Sequence, residues 1–299
     1  MDIDLYSYFY DLVKQIPKGM VTTYKELALA LGDQIASRAV GQMLAENPTP
    51  IIVPCHRVIK SDGTLGGYNH PFGTNKKIEL LESEGIKIKN GVVENFNEII
   101  FKDFKTEFPL KKLRNDEQIL KEKISLNDVN YDGIVAIDGS YNGRTIYLSF
   151  VKIDENLKIL DIKNYKDIVN FPYIPTYFSY REGKEIIKFY DGNDLLLIDG
   201  NGIMHPRGFG LASFVGVIKN IPTIGIAKSH LFGDIFNDKI LSGNAQIGWY
   251  IQNRYISPGS NISMESSFIL IKKLFKKGDP IKLAHIYANR FMESEQQRQ

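Results

Sequence analysis

Cys55 is the only cysteine in the 299-residue chain, and it stands in the run PCHR with His56 and Arg57 directly after it. A thiolate is a strong nucleophile, and neighbouring positive groups such as His56 and Arg57 stabilise it. Adjacent side chains in regular structure point apart, so a proton relay from Cys55 to His56 needs an irregular turn or an intervening water. A carboxylate orienting the histidine would complete the relay, and Glu82 and Glu84 on the next helical stretch are the candidates. The simpler reading is a small buried hydrophobe between Val53 and Val58. A single cysteine excludes an internal disulfide framework, and without C-x-x-C or H-x-x-x-H spacing no zinc site is expected.

The second half carries carboxylates of another kind. Asp138 in GIVAIDGSY and Asp199 in LLLIDG each follow a run of apolar residues, where a buried strand is expected to end, and Glu182 lies on a helical stretch between them. Either aspartate alone reads as a strand terminator in a turn before glycine. Two on neighbouring strands repel each other unless a hard cation binds, and Mg²⁺ is the usual occupant. Such a site activates water and stabilises the departing oxygen in phosphodiester hydrolysis.

Length favours two domains. The N-terminal stretch DIDLYSYFYDLV lacks a basic region and an apolar core of signal length, and no apolar run suffices for a membrane span. A cytoplasmic monomer is expected. Net charge is only +2, yet residues 271–290 carry a local excess of five positive charges, either a phosphate-facing strip or a solvated helix face. TTYKELALALG reads as a helix with a Thr23–Glu26 capping box and a Gly32 stop, and IASRAVGQMLAEN as a second helix, together a helix–turn–helix. IIVPCHRVI reads as a short strand-like run and NKKIELLESEG as a further helix. Periodicity is lost from residue 87 to 116, and the domain boundary is expected at 104, giving domains 1–104 and 105–299. Beyond it, hairpin-joined strands followed by alternating helix and strand predict a mixed sheet flanked by helices, an α/β second domain after a helix-rich first one.

PCHRVI, with Asn47-Pro48 eight positions before the cysteine and GGY after it, resembles the active-site segment of O6-alkylguanine-DNA alkyltransferases. The likeness spans residues 5–90 and includes GMVTTYKELALALG and SRAVGQML. It implies single-turnover transfer of an alkyl group from O6 of guanine in double-stranded DNA to Cys55, with no cofactor. His56 is then a water-mediated base, Glu84 its orienter and Asn47 a brace for the turn. Arg38 would fill the gap left by the flipped nucleotide, and Tyr24 would press its phosphate. A thiolate cannot reach O6 inside a duplex, so extrusion is required. The chain departs from that pattern by two extra residues after Tyr68.

VAIDGSY, FPYIPTYFSYRE, DGNGIMHPRGFGLASFVGVIKNIPTIGIAKSHL and the tail YISPGSNISMESS…IKLAHIYANR resemble endonuclease V, whose fold is similar to ribonuclease H. This likeness covers residues 107–299. It implies nicking 3′ to deoxyinosine and related deaminated bases with Mg²⁺, or Mn²⁺ in its place. Some members prefer inosine in RNA. Asp138, Glu182 and Asp199 become metal ligands or catalytic acids, with Lys228 near metal and phosphate. His205, Gly200 and Gly202 line the base pocket, and Pro172-Tyr173-Ile174-Pro175 form a wedge in the duplex. Ser260 stands where the family carries an SPGH histidine expected to support the metal site, and Thr176 where a glycine commonly follows the wedge. The alternatives are a damage-sensing DNA-binding protein without turnover, which needs neither thiolate nor metal, or an inosine-RNA nuclease tethered to DNA by the first domain.

Overall fold

The computed structural model describes residues 3–298; Met1, Asp2 and Gln299, which end the expected domains, lie outside them. The chain divides into two compact units. The first comprises residues 1–115 with 170–175, the second 116–169 with 176–299. The expected boundary at 104 falls inside the first unit for a physical reason. Lys105 and Gln15 exchange backbone-to-side-chain hydrogen bonds of 2.8 and 3.1 Å, Thr106 donates to Ala30 O (2.6 Å), and the Glu107 N–H donates to the Tyr8 hydroxyl (2.8 Å).

The first unit contains α1 (Leu5–Lys14), β1 (Thr22–Thr23), α2 (Tyr24–Leu31), α3 (Ser37–Ala45), β2 (Val58–Ile59), α4 (Gly73–Ser83), β3 (Ile88–Lys89) and β4 (Val92–Val93), and α5 (Pro109–Lys121) leads out of it. The helix–turn–helix forms as its caps dictate. Thr23 Oγ1 accepts the Glu26 N–H at 3.1 Å, and Gly32 ends α2 with φ +103°, a left-handed conformation that glycine adopts without strain. The apolar run around the cysteine departs from expectation. Pro54 cannot continue a ladder, so residues 55–57 form a 3₁₀ turn and only Val58–Ile59 reach a strand, paired in parallel with Thr22–Thr23.

The second unit is a nine-stranded mixed sheet with helices on it, as the alternating pattern predicts. Its strands are β5 (Ile134–Asn142), β6 (Thr145–Ile153), β7 (Ile159–Ile168), β8 (Leu195–Ile198), β9 (Thr223–Ala227), β10 (Asp234–Phe236), β11 (Lys239–Ser242), β12 (Ala245–Ile251) and β13 (Arg254–Ser260). Their order is β10-β11-β12-β13-β9-β8-β5-β6-β7, with only β5–β8 and β8–β9 parallel. The helices are α6 (Lys184–Phe189), α7 (Leu211–Lys219), α8 (Met264–Phe275) and α9 (Pro280–Gln296). One core joins Ala136, Val151, Leu197 and Ile224 to Ile271, Leu274 and Ala284 of α8 and α9. Asp138 does not end its strand: β5 runs four residues further, paired with β6 throughout. Side chains alternate along a strand, so Asp138 shares a face with Ala136 and Ser140, the face α9 covers. Among the described residues no helix is long and apolar enough to cross a membrane.

Candidate active sites

In the first unit the 3₁₀ turn resolves the problem of adjacent side chains by sending them apart. Cys55 lines a cavity of about 350 Å³ with Tyr24, Leu44, Gly67, Tyr68 and Asn69, while His56 enters the interior at 1% exposure. Asn47 lies against the turn: its Nδ2 donates to Val53 O (3.0 Å) and lies 3.2 Å from Cys55 Sγ, and its Oδ1 accepts the Thr49 N–H (3.0 Å). His56 Nε2 lies 2.9 Å from Glu84 Oε1, so Glu84 is the acid that faces the histidine. Arg57 does not act on the sulfur as its position in sequence suggests. It clamps Glu84 through Nε (2.9 Å) and Nη2 (2.7 Å) and gives Nη1 to Ile16 O (2.7 Å).

Electrostatics fix the protonation pattern. Burial would raise the Glu84 carboxyl, but hydrogen bonds from Arg57 and His56 outweigh it and hold the group down at about 2. Burial lowers His56 below the ordinary 6.5, more strongly than Glu84 raises it. An ionised Glu84 accepts the Nε2 proton, so the neutral ring keeps its lone pair on Nδ1, a buried atom with no hydrogen-bond partner among the described residues. Two further residues, to which the sequence assigned no role, stand near the sulfur. Lys77 is fully buried, donates to the carbonyls of Val58 (2.6 Å), Leu65 and Gly67 (3.4 Å), and is brought down to about 8 by burial against an opposing pull from Cys55. The Tyr68 hydroxyl rises to about 12 through burial first and Cys55 second. Tyr24 lines the same cavity, and Arg38 is exposed on α3, the helix that contributes Leu44.

In the second unit Asp138 and Asp199 meet on one cation. Lys228 Nζ lies 3.0 Å from Asp138 and 2.6 Å from Asp199. Burial, then the charge of Asp138, raises Asp199 to about 7. Glu182 rises to about 8, by burial first and then the charges of Asp138 and Asp199 against a hydrogen bond from Tyr141. It sits in a wide π-type turn, Ser179–Gly183, and accepts the Tyr141 hydroxyl at 2.8 Å. The expected three-carboxylate cage is therefore corrected: among the described residues no three of His, Cys, Asp and Glu converge on one point. Lys228 bridges Asp138 and Asp199, and Glu182 pairs with the Tyr141 hydroxyl. The oxygen donors still fit Mg²⁺ or Mn²⁺, since Asp138 and Asp199 already converge on a positive charge that they need.

A residue missed in the sequence completes this centre. His285 of α9 lies with Nδ1 2.9 Å from Asp138 Oδ2, and Asn289, one turn on, lies 3.0 Å from its Nε2. Both belong to IKLAHIYANR, where only the i, i+4 spacing could have flagged them. Ser260 is not at the carboxylates. It pairs with Thr223 at the start of β9, while Lys228 follows that strand's other end, so no histidine there would have supported the metal site.

The remaining expected residues divide. His205 is buried, lowered to about 3 by burial and then by Arg207, and lines a cavity of about 410 Å³ with Lys121, Ile203 and Phe232. Gly202 serves packing instead of a pocket: a Cβ there would stand 2.0 Å from Pro258 O. At Gly200 a Cβ would meet Leu211 at 3.2 Å. Of the wedge residues, Pro172 and Ile174 are buried, Pro175 is half-buried and Tyr173 is exposed. Thr176 has φ +68°, the left-handed region where glycine would be unstrained, and Arg207 holds it through Oγ1 at 2.8 Å.

Sheet order and site thus define an α/β protein of ribonuclease H-like fold with a carboxylate–lysine centre, joined to a helical unit presenting a braced, buried cysteine. The chain belongs to the bifunctional methyltransferase/endonuclease family. Residues 116–286 match the family model for endonuclease V, and residues 4–86 that for the 6-O-methylguanine DNA methyltransferase DNA-binding domain. The bifunctional methyltransferase/endonuclease of Picrophilus torridus is 45% identical over 95% of this chain and 95% of its own length. The human ENDOV structure shares the fold at TM-score 0.55 and 19% identity, covering 62% of this chain and 99% of its own. Ciona intestinalis endonuclease V, solved with DNA containing an inosine, does so at TM-score 0.52 and 21% identity, covering 62% and 98%.

Proposed function

We propose that the protein repairs DNA by two reactions. In the first, Cys55 takes the alkyl group from O6-alkylguanine in a single turnover. The observation that carries this is the Asn47–Cys55 contact beside the Arg57–Glu84–His56 chain. Neutral His56 accepts the thiol proton at Nδ1 through one water, Sγ bonds to the alkyl carbon, and the O6–carbon bond breaks with its electron pair passing to the guanine, which takes up a proton from water as His56 gives up its own. In the second, the strand is nicked 3′ to deoxyinosine or a related deaminated base. The convergence of Asp138, Asp199 and Lys228, with His285 at Asp138, carries it. Asp138 and Asp199 would hold Mg²⁺, which supplies charge neutralisation and an activated water at the phosphate. Lys228 and His285 orient the carboxylates, and the Tyr141 hydroxyl donates to Glu182. Incubation with duplexes carrying either lesion, with and without Mg²⁺, tests both: alkyl transfer should ignore the metal and nicking should require it.

Two further outcomes follow from the geometry. Since His56 is held below 6.5 and Glu84 near 2, the neutral base persists as pH falls through 6.5. The rate of alkyl transfer from free O6-benzylguanine should therefore show no break centred at 6.5, only a decline below it. Such a break in the pH–rate profile would mean that the histidine titrates as though exposed. Arg38→Ala should slow repair in duplex DNA by about an order of magnitude while sparing free O6-benzylguanine, because only extrusion, at a few kcal/mol, needs its help. Equal losses on both substrates would make Arg38 a folding residue.

A further inference from the structure

The loop that departs in length from the alkyltransferase pattern carries three rings in a row. Tyr68, in the cavity wall beside Cys55, stacks on His70 at 5.9 Å and 13°, and His70 meets Phe72 at 5.5 Å and 32°. Phe72 is 72% exposed, the most exposed of the large apolar residues among those described. An exposed ring alone is ordinary on a protein surface, but this one continues a row of rings that begins in the wall of the Cys55 cavity.

The loop is built to hold that ring still. The His70 N–H donates to Tyr68 O (3.1 Å), the Gly73 N–H to His70 O (2.7 Å) and the Phe72 N–H to His70 Nδ1 (3.2 Å). Asn69 Nδ2 donates to Ala45 O, tying the loop to the end of α3, the helix that bears Arg38. The ladder thus runs outward from the nucleophile's cavity, beside the second helix of the helix–turn–helix.

We propose that Tyr68, His70 and Phe72 form a stacking platform for a nucleobase of the DNA strand, next to the nucleotide extruded into the Cys55 cavity. This rests on the alkyltransferase reading. Extrusion removes a stacking partner from each neighbour of the flipped nucleotide, and an exposed, rigid aromatic face replaces it whatever the base, because every base presents a π-face. The platform has no part in the bond-making at Sγ; it holds the distorted strand.

The test uses the full-length protein carrying Cys55→Ser, so that the lesion survives the measurement, and duplexes with O6-methylguanine flanked on either side by the fluorescent base 2-aminopurine. Stacking quenches this base. At one flanking position the emission of the bound complex should rise severalfold when Phe72→Ala is added and stay low with Phe72→Trp, and Phe72→Ala should weaken binding roughly tenfold. Phe72 is exposed, so these variants should melt with their parent. Equal emission with Phe72 and with alanine at both flanking positions overturns the platform. So does a loss of reactivity toward free O6-benzylguanine when Phe72→Ala is made in the protein that keeps Cys55, at unchanged emission in the Cys55→Ser background, which would seat an adduct's aryl ring there instead. If the protein that keeps Cys55 acquires no alkyl group from O6-methylguanine DNA, the alkyltransferase reading fails and the platform with it.

Discussion

Asp138→Ala should reduce nicking of deoxyinosine DNA by about 10³-fold or more, the loss expected when several kcal/mol of transition-state stabilisation disappear. Asp138 is where three interactions meet: the Lys228 ammonium, the His285 ring and the charge of Asp199. Its removal leaves Lys228 to Asp199 alone and takes from His285 the carboxylate that it contacts. Asp199→Ala should act similarly. Unfolding would be a trivial route to the same loss, but the electrostatics argue against it. Asp138 is one of the charges that push Asp199 and Glu182 upward, so its deletion relieves repulsion in a buried site. The variant should melt at or above the parent temperature, and it should bind deoxyinosine DNA as well or better, since a negative charge near the phosphate is gone. Cleavage that survives both EDTA and Asp138→Ala would sink the metal-site reading. Ser260→Ala should leave the rate unchanged, because that hydroxyl sits at the far end of β9 from Lys228.

What could be read from the chain tracks how local each contact is. The helix–turn–helix was legible because its caps, Thr23 and Gly32, act within a few residues. Asn47, Cys55, His56 and Glu84 were legible as a resemblance, and Glu84 in place of Glu82 is settled by one distance to the imidazole. The role of Arg57 was not legible. Adjacent to His56, it reads as a charge for the thiolate, but the 3₁₀ turn aims it at Glu84 and at the carbonyl of Ile16, 41 positions away. Lys77 reads as one of two helix lysines. Its buried ammonium is satisfied by the carbonyls of Val58 in β2 and of Leu65 and Gly67 in the loop after it, which no periodicity reveals.

The second centre shows the same limit more severely. Asp138 and Asp199 announced themselves by the apolar runs before them, although β5 continues past Asp138 and so presents it from mid-strand. His285 is 147 positions from Asp138 and sits in a stretch whose lysines drew attention to charge. Only the packing of α9 on the Ala136 face of β5 brings the two together. The Ser260 expectation failed in the opposite direction, since a motif position was taken for a spatial one. Antiparallel pairing of β13 with β9 carries that residue to the wrong end of the sheet.

Cys55→Ser should abolish alkyl transfer, a loss of at least about 10³-fold, while nicking and lesion binding continue. The hydroxyl is a far weaker nucleophile than a thiolate at neutral pH, and the relay through His56 cannot close that gap. The fold should tolerate the change. Asn47 Nδ2 also donates to Val53 O, so the brace on the turn survives without the sulfur, and serine accepts the same N–H. Asp138→Ala provides the mirror image, with alkyl transfer retained and independent of Mg²⁺ because its chemistry uses only the thiol, His56 and a distorted duplex. Mass spectrometry after reaction with O6-methylguanine DNA should find one methyl group per chain, on Cys55. Lesion consumed over an unmodified Cys55 would refute the assignment of the nucleophile. Repeated turnover would refute it too, because the thioether formed at Sγ cannot be displaced by any group that lines the cavity.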